Sequence, residues 1–260
     1  MPRGARLRDR GRILSMVLHE YLRFGQGKRI GQMLPLRSRD FDLRLGGAGP
    51  TLRLRTDDLS LFEIYARGSC DVDLAPLGAV RSVLDLGANV GLATVFLAQR
   101  LPGARFVCVE ASPDTYAFLE ENLRRNVADA TAINAAAVGE PGGFHLQPGP
   151  RPGLHRVAPG RGADGTAIEG MTVPQLLDRA SLERVDLMKI DIEGGEIELL
   201  EHAADWAPRV GAVLLEVHAP LTVGDAERTL SAHGFSILPL PERPIFSWRE
   251  TVYAARSPLA

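Results

Sequence analysis

Apolar and polar positions along the chain change period several times. Residues 10–24 place Ile13, Leu14, Val17, Leu18, Tyr21 and Leu22 at helical spacing, with Arg on the opposite face. Residues 40–56 alternate as two short strands around GGAGP, which predicts a hairpin. A helix is expected from Asp58 as N-cap through Leu61, Phe62, Ile64 and Tyr65. From residue 81 apolar runs replace alternation. RSVLDLG, ARFVCVE, ATAINAAAV, RVDLMKID and VGAVLLEVH read as buried strands. Helical stretches at Val90–Arg100, from Ser112-Pro113 to Val127, at Gly195–Ala203 and at Asp225–His233 are interleaved with them. FSILPL and ETVYAAR read as edge strands. Residues 139–170, rich in Gly and Pro, read as an irregular lid or loop.

Apolar strands alternating with helices predict βαβ units and a parallel sheet. The expected architecture is one doubly wound, Rossmann-like α/β domain over residues 56–260, preceded by a helix and hairpin extension over residues 1–55. No apolar run approaches the ~18 residues of a spanning helix.

Charge is unevenly divided. Residues 1–60 carry 13 basic against 6 acidic side chains, and residues 61–260 carry 17 against 26. The basic segment reads as a solvated helix able to dock on the body, on a second copy of the chain as a homodimer, or on a membrane surface, with docking on the body as the default. Nucleic-acid binding is disfavoured by sparse aromatic interleaving and an acidic body. Two cysteines, Cys70 and Cys108, make no disulfide framework, so a reducing cytoplasm is the expected compartment. The apolar stretch Ile13–Leu18 is too short for a signal peptide and no small-residue cleavage site follows it. Of 30 basic residues only two are lysine, Lys28 and Lys189.

VLDLGANVGLATVFLA, residues 83–98, is a strand, a Gly-containing turn and a helix. In open α/β sheets such a turn contacts the ligand. Positions 87, 89 and 92 read Gly, Asn, Leu, so the dinucleotide fingerprint fails, and no P-loop pattern is present. Asp85 at the strand end would repel a pyrophosphate but can orient a ligand ammonium. S-adenosylmethionine carries an aminoacyl tail, a sulfonium and no phosphate. Glu110, ending the next strand, is placed to accept ribose hydroxyls.

VDLMKIDIEGGEIELLE, residues 185–201, puts Lys189, Asp191 and, if the chain stays extended, Glu193 on one strand face. The following strand carries Glu216 and His218 on one face at its end, so these charges should converge in one cleft. Together with FVCVEASPDTYAFLEENLRRN, INAAAVG and LLEVH, these segments resemble the FkbM-type family of S-adenosylmethionine-dependent methyltransferases over about residues 56–240.

The resemblance implies the class I methyltransferase fold, a seven-stranded sheet with the last strand antiparallel, and methylation of hydroxyls on natural products or sugars. Asp85, Gly87, Asn89 and Gly91 would line the methionine tail, and Glu110 with Ala111 would hold the ribose. The Asn134–Ala137 turn, including Ala137, would flank the adenine, and Tyr65 or Glu63 would close over the aminoacyl end.

For catalysis the expected groups are Lys189, Asp191, Glu193 and His218, with His218 as a base or as a satisfied strand-end histidine. Lys189 is read first as an ion-pair partner of Asp191 or Glu193, second as a group acting on the acceptor. Asp191 and Glu216 form a candidate Mg²⁺ pair; the alternative is that Asp191 and Glu193 bind the acceptor or take its proton without metal, and Asp191 is also a candidate cofactor contact. Competing readings are carboxyl or N-methylation on the same scaffold, and a non-catalytic cofactor-binding module.

Overall fold

The computed structural model describes residues 40–45, 49–55, 60–147, 156–160, 166–241 and 250–256. The helix expected over 10–24, Lys28 and the Asp58 cap lie outside the described residues.

A seven-stranded sheet forms the centre. Its strands are β3 (Ser82–Leu86), β4 (Arg105–Glu110), β5 (Ala130–Asn134), β10 (Val185–Ile190), β11 (Val210–Glu216), β12 (Ser236–Ile237) and β13 (Thr251–Ala255). Their spatial order is β12-β13-β11-β10-β3-β4-β5. All neighbours pair in parallel except β13, which runs antiparallel to both β11 and β12. This is the class I methyltransferase topology that the family resemblance implies. ETVYAAR is not an edge strand: β13 is inserted between β11 and β12, and its apolar run Val252–Ala255 is buried there.

Successive residues face opposite layers. Val83, Phe106, Cys108 and Leu187 meet helices α1 (Leu92–Arg100) and α2 (Pro113–Asn126). Leu84, Val107, Met188 and Val213 meet α3 (Val173–Arg179), α4 (Glu196–Glu201), α5 (Ala203–Trp206) and α6 (Val223–Ala232). Local signals set the helix starts: Ser112 and Thr222 accept hydrogen bonds from Thr115 and Asp225 backbone N–H groups, and Thr172 with Gln175 forms a capping box. The helix read as Gly195–Ala203 is broken at His202 into α4 and α5.

The hairpin exists as β1 (Asp40–Arg44) and β2 (Thr51–Arg55), antiparallel. It does not stand apart from the domain. Leu43, Leu52 and Leu54 are fully buried in the α1–α2 core, and Asn126 on α2 bonds both the N–H (3.0 Å) and the carbonyl (2.9 Å) of Thr51. Beyond it, Phe62–Arg67 forms a π-helical turn.

The segment 139–170 is not simply irregular. After β6 (Ala136–Ala137) the chain forms β7 (Gly142–Gln147), β8 (Arg156–Pro159) and β9 (Thr166–Met171), a second sheet of order β6-β9-β7-β8. Phe144, Leu146 and Ile168 bury a small core with Ala136 and Val138. Gly142, Gly143 and Pro159 mask the strand alternation, and the apolar partners meet only across a long sequence separation.

Candidate active site

Strand order reverses between β3 and β10, so their carboxyl ends flank a crevice at a topological switch point. A cavity of about 410 Å³ lies there, within the roughly 300–1,000 Å³ of small-molecule sites. Gly87, Asn89, Glu110, Ala111, Ala137, Asp191 and Glu193 all line it. Both sequence constellations therefore open into one space.

The turn after β3 is built from left-handed residues: Gly87 at φ 74°, Asn89 at 50° and Gly91 at 86°. A Cβ on Gly87 would lie 1.7 Å from the Asp191 carbonyl oxygen, so no larger residue fits without separating the two strand ends. The N–H groups of Gly87 and Ala88 donate to the Val109 carbonyl (3.0 and 2.9 Å). Glu110 ties the turn to β4: one carboxylate oxygen accepts from Asn89 N–H (3.0 Å), the other from Ser112 N–H (2.8 Å). Burial pushes the Glu110 carboxyl up to about 7, against the lowering effect of these bonds. Asn134 donates to the Glu110 and Ala111 carbonyls (2.8 and 3.1 Å), fixing the wall that continues through Ala135–Ala137.

Several expected residues sit elsewhere. Asp85 is 0% exposed and lies beneath the cavity, not in its lining. It accepts from the Thr94 hydroxyl (2.6 Å) and faces Lys189 Nζ at 3.3 Å. Lys189 thus supplies an ammonium at the carboxylate expected to face that of a ligand. Lys189, 5% exposed, also meets Asp191 at 3.3 Å. The expected pair with Asp191 is present; Asp85, its direct register neighbour on β3, is the partner the sequence reading missed. Burial alone would lower the Lys189 pKa, but the carboxylates of Asp85 and Asp191 outweigh it and hold the ammonium well above its ordinary range. Gly91 caps α1 beside Leu119. Tyr65 packs edge-on against Phe96, with ring centroids 5.6 Å apart, and is absent from the cavity wall.

At the far rim, Asp191, Glu193 and His218 converge, with one donor atom from each within 4.8 Å of the others. The chain does not stay extended to Glu193, which has φ 54°; the bend after β10 turns its carboxylate toward His218, 3.7 Å away. Glu216, expected to share a cation with Asp191, is outside this group.

Glu196 was not anticipated. Fully buried, it accepts from the Ile192 and Gly194 N–H groups (3.2 and 2.9 Å) and bonds His218 Nδ1 (2.9 Å). That bond with Glu196 is the main cause raising His218 to about 9. The shift favours the protonated imidazole, which makes His218 poorly suited to act as a base. Burial, then the charge of Asp191, pushes Glu193 up to about 7 and Glu216 to about 8. Glu63, in the π-helical turn, adds to both shifts, which places its charge toward this rim.

The model of a family described as "Methyltransferase FkbM domain" matches residues 85–237, more than half of the chain. Hexuronic acid methyltransferase AglP of Haloferax volcanii is 25% identical over 150 residues, 56% of this chain and 60% of that protein. The AMB antimetabolite synthetase AmbE of Pseudomonas aeruginosa is 28% identical over 220 residues, 67% of this chain but 10% of that protein. The 31-O-demethyl-FK506 methyltransferase FkbM of Streptomyces tacrolimicus is 26% identical over 202 residues, 65% of this chain and 77% of that protein. The chain therefore spans less than two thirds of the first two.

Proposed function

The chain belongs to the FkbM-domain methyltransferase family, and we propose that it moves the methyl group of S-adenosylmethionine onto a hydroxyl oxygen of a small molecule, a sugar or natural product. The observation that carries this reading is the single cavity joining the Gly87–Glu110 turn to Asp191 and Glu193.

The residues present fit the cofactor. Glu110 is a buried carboxylate at the wall with lone pairs left for ribose hydroxyls. Ala111 and Ala135–Ala137 offer a small, apolar surface for adenine. Asp191 and Glu193 line the cavity with carboxyl groups suited to a ligand's ammonium and sulfonium, and their negative charge would repel a pyrophosphate. When bound, S-adenosylmethionine supplies an electrophilic methyl group on sulfur.

The protein's part is placement and proton handling. Holding acceptor oxygen and methyl donor in line removes much of the barrier. The hydroxyl proton must leave as oxygen bonds to carbon, and the best-matched acceptor on the cavity wall near neutrality is Glu193. Lys189 is a positioning residue beneath that wall. The name of FkbM points to a demethylated oxygen, which supports an oxygen acceptor, and that of AglP to a sugar acid, which offers both hydroxyls and a carboxylate. Among the described residues no helix is long and apolar enough to cross a membrane.

The test is calorimetric titration with S-adenosylmethionine and its demethylated product. Methyl transfer to matched alcohol, amine and carboxylate acceptors should then be followed by mass spectrometry. Alcohol-selective transfer is expected. Transfer to amines or carboxylates alone, or no cofactor binding, overturns the reading.

A further inference from the structure

We propose that Asp191, Glu193 and His218 form a binding site for a divalent first-row transition cation, of the Mn²⁺ or Zn²⁺ kind, at the acceptor end of the cavity. The proposal rests on the methyl-transfer reading only for its purpose, which is to hold and acidify the acceptor hydroxyl.

The geometry is that of three ligands around an open centre. His218 Nε2 stands 3.7 Å from Glu193 Oε2 and 4.0 Å from Asp191 Oδ1. Both distances exceed the roughly 2.7–3.2 Å of a hydrogen bond. The nitrogen therefore faces two carboxylate oxygens and bonds neither. Ligands about 2.0–2.2 Å from a common ion lie roughly 3–4 Å from one another, so the observed spacing needs little closure. Asp191 contributes the oxygen that Lys189 does not use: Lys189 meets Oδ2, and Oδ1 points to His218.

The surroundings favour coordination over a bare ion pair. His218 Nδ1 is bonded to Glu196, a carboxylate that is itself fully buried and anchored by two backbone N–H groups. A carboxylate on the far ring nitrogen is the usual support of a metal-bound histidine and fixes the ring; the proton that His218 carries without an ion is released from Nε2 as the cation binds. Among the described residues, Lys189 is engaged by Asp85 and Asp191, and His218 faces the charges of Glu193, Glu196 and Glu216.

The donor set selects the metal. Two carboxylates alone would suit Mg²⁺, which takes oxygen ligands. An imidazole nitrogen among them shifts preference to Mn²⁺, Fe²⁺ or Zn²⁺. This differs from a Mg²⁺ site on Asp191 and Glu216, because Glu216 stays outside the ligand group.

The experiment uses the full chain, stripped with chelator, without cofactor or acceptor, titrated with Mn²⁺ alone and followed by electron paramagnetic resonance and calorimetry. Zn²⁺ and Mg²⁺ are titrated in parallel. One bound Mn²⁺ is expected, held more tightly than Mg²⁺. Asp191→Asn and Glu193→Gln should each abolish stoichiometric binding, and Glu216→Gln should leave it intact. Glu196→Gln should weaken binding by about 10–100-fold, the usual effect of losing such a support. His218→Ala should erase the preference for Mn²⁺ over Mg²⁺; its loss in a variant whose circular dichroism matches wild type identifies the nitrogen as a ligand. No stoichiometric Mn²⁺ binding overturns the proposal, as does a Mn²⁺ preference that survives His218→Ala. A parallel S-adenosylmethionine titration separates the two readings: cofactor binding without Mn²⁺ binding removes the cation alone, and the reverse removes the methyl-transfer reading alone.

Discussion

Lys189→Met strands a charge that the fold cannot rehydrate. Asp85 is 0% exposed; its Oδ2 takes the Thr94 hydroxyl, and its Oδ1 has no hydrogen bond, only the Lys189 ammonium at 3.3 Å. Asp191, the second partner, has a side chain 28% exposed and can recover water. The penalty therefore falls mainly on Asp85. Removing one member of a buried pair costs about 3–5 kcal/mol, and each kcal/mol lowers the melting temperature of a domain of this size by about 2–4 °C. A fall of roughly 6–20 °C is expected. Asp85→Asn in the Met background removes the stranded charge while keeping shape and a donor–acceptor group, so it should restore most of the loss. The double variant should be more stable than Lys189→Met by at least about 1 kcal/mol, within the range of coupled neighbours. Urea unfolding followed by circular dichroism reads all four corners of the cycle. A Lys189→Met protein within about 0.5 kcal/mol of wild type, the level of an ordinary surface change, would refute the reasoning. So would failure of Asp85→Asn to recover any stability.

Lys189→Arg keeps the charge, but a planar fork must replace a slim ammonium between two carboxylates; methyl transfer should fall by more than about tenfold, and an Arg variant with wild-type turnover would make Lys189 a simple counter-ion. Gly87→Ala combines a left-handed penalty of about 1–2 kcal/mol with a Cβ 1.7 Å from the Asp191 carbonyl; cofactor affinity measured by calorimetry should drop more than tenfold, about 1.4 kcal/mol. Glu110, raised from its ordinary 4.5 to about 7, binds a proton more readily folded than unfolded, so its contribution to stability is present below 4.5 and lost as pH rises through 7. A ligand donating hydroxyls favours the carboxylate instead, so cofactor affinity should weaken as pH falls below about 7, and Glu110→Gln should flatten that dependence.

Wherever burial is complete on both faces, the strands were legible as apolar runs. Residues 83–86, 106–109 and 187–190 could hardly be anything else between their turn signals. Position within the sheet was not legible. Whether Val252–Ala255 ends at an edge or slides between β11 and β12 depends on contacts across the chain, and no local pattern encodes that choice. The accessory sheet escaped for a related reason. Phe144 and Ile168 are apolar partners 24 residues apart, and flanking glycines and a proline give the segment the composition of a loop.

The site divides along the same line. Strand period alone correctly set Lys189 and Asp191 on one face, because i and i+2 share a side regardless of register. The Lys189–Asp85 contact needs the register of β10 against β3, which sequence spacing does not supply. Glu196 is the harder case. An acid in the first turn of a helix is ordinarily read as a partner of the helix dipole on the surface. Here the left-handed bend through Glu193 and Gly194 folds the preceding loop over that carboxylate and buries it. The same bend turns Glu193 toward His218, so one local backbone choice both hides the supporting acid and assembles the group it supports. The stretch Asp-Ile-Glu-Gly-Gly-Glu specifies that bend with two glycines where the chain must reverse. Its chemistry therefore comes from the path of the loop rather than from the strand face that the alternation of residues 185–191 suggested.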